Sequence, residues 1–117
     1  MEDLISTEYR FKLKVGLRGP EGTLYREGTM RLATARDEIQ TLRDHRVQAN
    51  PSYQQVILLA RTVTLDKLDA ITPEIIEELF MTDFAQLQRL YIEINGLDDD
   101  DVAAADVDIG SARAGNV

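Results

Sequence analysis

The chain has 117 residues, enough for one domain with a single modest core. It contains no cysteine, which excludes a disulfide framework and any thiolate metal site. Of the net charge of −8, residues 98–117 hold six aspartates against one arginine, so most of the acidity belongs to the tail; no basic face marks a nucleic-acid binder.

The first twelve residues, MEDLISTEYRFK, are acidic and lack a long apolar run, so they do not read as a secretory signal. No window approaches the roughly eighteen apolar residues of a membrane-spanning helix. A soluble, cytoplasmic protein is expected. Residues 9–17 then alternate, with Tyr9, Phe11, Leu13, Val15 and Leu17 on one face and Arg10, Lys12 and Lys14 on the other. That period predicts a strand with one face on a core and one in water. Gly19-Pro20-Glu21-Gly22 reads as a turn. A second strand is predicted over Thr23 to Leu32, with Leu24, Met30 and Leu32 on one side, Tyr25 and Thr29 on the other, and a bulge at Gly28. The pair forms an antiparallel hairpin, which is marginal alone and must lie on helices or pair with another chain.

Thr34 and Asp37 have the spacing of a capping box, opening a helix from Ala35 to about Arg46 with Ile39 and Leu42 facing inward. Asn50-Pro51 caps the next helix. There Tyr53, Val56, Ile57, Ala60 and Val63 lie on one side, and Leu58 and Leu59 widen the apolar surface, as on a helix buried on more than one side. Leu65 to Ala70 reads as a connector. Thr72-Pro73-Glu74 starts a short helix: a hydroxyl cap, a proline at the first helical position and an acid in the first turn. Thr82-Asp83 restarts a second one, with Phe84, Leu87, Tyr91 and Ile94 on one face, and Gly96 ends it. The expected architecture is α+β: an N-terminal antiparallel hairpin followed by a small bundle of about four helices over residues 1–97, then an acidic tail over 98–117 that stays disordered.

The inventory of reactive groups is thin. His45, the single histidine, sits in RDHR with no second histidine or cysteine to complete a ligand set, and suits the C-terminal end of a helix. Glu77 and Glu78 are adjacent on a helix and diverge. Asp98 to Asp101 lack the glycine-spaced pattern of a calcium loop. The glycines between 16 and 28 belong to the hairpin and precede no helix, so they cradle no phosphate. Ser6, Ser52 and Ser111 have no nucleophile-elbow context. No enzyme, no metal and no cofactor is expected. Residues at helix junctions are the expected partner-binding surface, because the core is least able to consume them: Leu65 and Leu68 in the connector, Phe80 and Met81 between the last two helices. The thioether of Met81 suits an adaptable groove.

Three segments taken together, EGTMRLATARDEI, LRDHRVQANPSYQQVILLARTVT and ITPEIIEELFMTDFAQLQRLYIEING, resemble small phage tail assembly proteins. These occur in contractile phages and in phage-tail-like contractile injection clusters, and RVQANPSY favours the latter. The resemblance spans roughly residues 8–97 and rests on apolar patterns and caps, with Arg31 to Asp37 and Asp83 to Leu90 as its strand–helix and closing-helix elements. It implies a tail assembly chaperone that binds the apolar, helical tape measure protein while the tube polymerises. The alternative it implies is a minor structural component near the tube or baseplate. A homo-oligomer joined through the hairpin edge is compatible with either.

Overall fold

A computed structural model describes residues 6–97; the expected disordered tail lies outside the described residues. The chain runs β1 (Glu8–Arg18), β2 (Leu24–Arg31), α1 (Ala35–Arg43), α2 (His45–Ala49), α3 (Gln54–Thr62), β3 (Val63–Leu65), α4 (Pro73–Glu77) and α5 (Met81–Ile94). Single 3-10 turns occupy Pro20–Gly22 and Pro51–Tyr53. The architecture is α+β as expected, but the hairpin is extended to a three-stranded antiparallel sheet of order β1-β2-β3. The third strand was expected to be helix and connector. Val63 adopts extended backbone directly at the end of α3, and Met30 pairs with Val63 and Gly28 with Leu65. β-Branched Val63 and Thr64 suit the pleat, but three residues are too few to show alternation.

Gly28 is paired on both sides, with Phe11 and with Leu65, so it is not the expected bulge. A Cβ there would collide with the Thr64 carbonyl oxygen and the Phe11 ring, which is why the central strand carries glycine at this point. The irregularity lies instead in β1. Lys12 pairs with Glu27, and the next pair is Leu17 with Tyr25. Residues 13–16 therefore face Arg26 alone, with Gly16 in the left-handed region at φ 109°. Leu13 and Leu17 point into the core as expected, but Val15 and Leu24 are turned to solvent.

Local capping decides the helix starts. Thr34 Oγ1 accepts from the Asp37 amide and Asp37 accepts from the Thr34 amide, closing the predicted box. Asn50 Oδ1 accepts from the Ser52 amide, and Thr72 Oγ1 from the Ile75 amide. At the far end, Gly96 (φ 74°) and Leu97 donate to Glu93 and Ile92 respectively, the paired bonds of a Schellman motif. The predicted helix from Ala35 to Arg46 is broken at Asp44, which turns extended and accepts from the Arg46 amide as the cap of α2. His45 thus opens a helix rather than closing one. The inward face of α1 is also the reverse of that expected: Asp37 and Thr41 are buried, while Ile39 and Leu42 are each 49% exposed.

One face of the sheet carries the core, in which Leu13, Leu17 and Met30 meet Leu59, Val63, Leu65, Ile76, Leu79 and Leu87. Ile57 and Leu58 are buried outside this cluster, so α3 is covered on more than one side, as its apolar surface predicts. The opposite face of the sheet is polar. There Arg10 on β1 bonds Thr29 on β2 and both carboxylate oxygens of Asp66, just past β3. That clamp spans all three strands but is solvent-screened and weak. Truncating Ile57 or Leu87 to alanine should cost about 2–5 kcal/mol each. Urea unfolding measures this, and wild-type midpoints for both variants would refute these buried positions.

Candidate functional site

α5 seals the irregular edge of β1. Its first turn places Asp83, fully buried, against the two amides that β2 leaves unpaired: Val15 N donates to Oδ1 at 3.0 Å and Gly16 N to Oδ2 at 2.7 Å. One turn later Gln86 acts as a strand would, donating from Nε2 to Lys12 O (2.8 Å) and accepting from Lys14 N (3.2 Å) at Oε1. From the other side Arg26 donates Nε to Leu13 O and Nη2 to Lys14 O. The polar backbone exposed by the bulge is thereby satisfied by side chains. Asp83 therefore does not serve as a helix-start residue. α5 begins two residues before it, at Met81, and Phe80 stands extended at the cap position with no side-chain bond of its own.

That arrangement leaves an apolar junction at the surface. Leu79 is buried, the chain then turns outward, and Phe80 is 42% and Met81 72% exposed. The Arg18 guanidinium lies 5.7 Å from the Phe80 ring centroid, in cation–π range. A cleft of about 400 Å³ opens here, lined by Leu17, Arg18, Ile75, Glu78 and Phe80. Val15, whose amide is held by Asp83, and Leu24, packed over Gly16, add exposed apolar side chains at the same edge.

Of the four residues expected at a partner surface, two are here and two are not. Leu65 is 4% exposed, held in β3 against the core, and Leu68 is half-buried on the same cluster. β3, a strand where a connector was expected, turns Leu65 into the core, and Leu68 follows in the next turn with its amide donating to Leu65 O. Val15 and Leu24 were expected on core-facing sides of their strands, and Arg18 was not singled out. The available signal was Gly16, a glycine interrupting a strand pattern, which warns that alternation fails beyond it.

Elsewhere, Asp37, Asp44 and Tyr53 are committed to structure. Asp37 accepts from Arg31 at 2.7 and 2.8 Å and from Arg61 at 3.0 Å, and these bonds, led by Arg31, hold its carboxyl well below the usual range. Arg46 likewise holds Asp44 down at about 2. Tyr53 donates to Glu77, tying the start of α3 to α4, and that bond pushes the phenol up to about 12. Among the described residues no three His, Asp or Glu side chains are grouped as a metal ion requires, and no helix is long and apolar enough to cross a membrane. His45 is exposed at the start of α2. No protein-family model, no curated protein and no solved structure matches the chain.

Proposed function

We propose that this chain is a non-enzymatic assembly factor of a contractile phage tail or phage-tail-like injection particle, a chaperone that binds the tape measure protein while the tube forms. The observation that carries the reading is the junction of Phe80 and Met81: two large apolar side chains left in solvent beside a cleft, on a domain whose other junction residues are packed away. An amphipathic helix is recognised by apolar anchors set in a groove, and the unbranched Met81 can repack against successive turns of a long repetitive client. Arg18 and Glu78 on the cleft wall supply charges of both signs to fix the client's direction.

Co-expression with a tape measure protein from the same cluster tests this. The wild type is expected to keep it in solution and to copurify with it. Phe80→Glu and Met81→Glu should fold normally, since both side chains are exposed, and should weaken the complex about tenfold or more. Full retention by both variants places the binding surface elsewhere. If the wild type never associates and is instead found in fixed ratio in purified particles, the chain is a structural component near the tube or baseplate.

A further inference from the structure

The outward face of α1 is apolar where a surface helix is normally polar. The Asp37 carboxylate, bound by Arg31 and Arg61, holds Asp37 and Thr41 toward the domain. That turns Ala35, Ile39 and Leu42 to water. Their four- and three-residue spacing is that of the alternating core positions in a two-helix seam. Ile39 then stands where a parallel pair takes a β-branched residue, and Leu42 where it takes leucine. The charges beside the stripe are sorted by side, with Arg36 and Arg43 along one flank and Glu38 along the other. All three are exposed, and among the described residues none enters an ion pair.

We propose that α1 is a self-association surface, its stripe packed in parallel against α1 of a second copy of this chain. Charge complementarity selects both the occupant and its direction. In a parallel pair each flank meets the opposite flank of its neighbour, so Glu38 of each copy faces Arg43 of the other across the Ile39 and Leu42 layers. An antiparallel pair sets arginine flank against arginine flank and glutamate against glutamate, which like-charge repulsion disfavours. A seam of nine residues buries less than the roughly 1,200 Å² at which stable interfaces begin, so the dimer is weak and concentration-dependent. It is also a surface distinct from the Phe80–Met81 junction. The end of α5, not its start, lies beside α1, where the Ala33 amide donates to Asn95 Oδ1 at 3.0 Å; Phe80 stands about 20 Å away at the other end of that helix.

Sedimentation of the full chain gives the first readout. Its average mass should rise with concentration from that of a monomer toward twice that value, and a chain that stays monomeric up to about 1 mM overturns the proposal. Glu38→Arg and Arg43→Glu each make both cross-pairs repulsive and should weaken association about tenfold. An equimolar mixture of the two variants restores both pairs and should recover it, which also shows that each variant is folded. Either variant associating alone at wild-type strength, or a mixture no stronger than its parts, means that another surface joins the copies and overturns the proposal. The absence of cysteine permits a test of direction. On mild oxidation Ala35→Cys should form a covalent dimer, because a parallel seam brings the two starts of α1 together, while Gln40→Cys, exposed but off the seam, should lag behind it. Equal cross-linking rates for the two overturn the parallel pairing.

Discussion

Asp83→Ala is expected to be among the most damaging single substitutions in this chain. It leaves the amides of Val15 and Gly16 facing a cavity, with no strand beyond them to accept. Each orphaned buried donor costs about 1–3 kcal/mol, so the variant should lose about 2–6 kcal/mol, a large share of a small domain's stability. At about 4–8 °C per kcal/mol, the melting temperature falls by ten degrees or more, roughly. Asp83→Asn keeps one acceptor and should fall between the two. The hairpin amides should also lose hydrogen-exchange protection before those of α3, because the bond joins β1 to α5 and touches nothing else. An Asp83→Ala chain that melts like the wild type would show that β1 does not depend on α5.

The second large effect concerns Asp37. Asp37→Ala removes the shared partner of Arg31 and Arg61 and one half of the Thr34 capping box. Breaking a buried pair costs about 3–5 kcal/mol, reduced here to about 2–4 because both guanidiniums reach water. The pH dependence has a definite sign. The folded-state carboxyl titrates well below its unfolded value, so on acidification the unfolded chain takes up the proton first. The stabilisation is complete above the unfolded value of about 4 and disappears as pH falls through the lower folded one. Thermal melts of the wild type should therefore drop steeply below about pH 4, and Asp37→Asn, which cannot titrate, should show a lower but flatter profile. Parallel pH profiles for the two proteins would mean that other carboxylates govern the acid limb.

These two aspartates also mark where sequence reading stops. The caps at Thr34, Asn50, Thr72 and Gly96 were legible because each partner lies within a few residues. The core faces of α3 and α5 were legible because apolar spacing reports burial directly. Val15 was misplaced because its orientation depends on a carboxylate 68 residues away. At α1 the apolar pattern points one way and the ion-paired Asp37 the other; Arg31, six residues before it on β2, and Arg61, 24 residues after it on α3, decide the contest. β3 was hidden by its brevity. At the proposed client surface, Phe80 and Met81 followed from their place between two helices, while the loss of Leu65 and Leu68 to the core followed from a strand with no pattern to announce it.

The sealing of β1 by α5 has a consequence for how the protein is made. The hairpin is synthesised before the helices that seal it, and the side chains that complete its edge come 67 to 74 residues later. At typical elongation rates that delay is about 4–14 s. An isolated hairpin is marginally stable, and the residues that cover Leu13, Leu17 and Met30 arrive only progressively through that interval, from Leu59 to Leu87. The edge of β1 therefore cannot be completed until α5 has emerged, and until then its unpaired amides and apolar face stay open to water and to other chains.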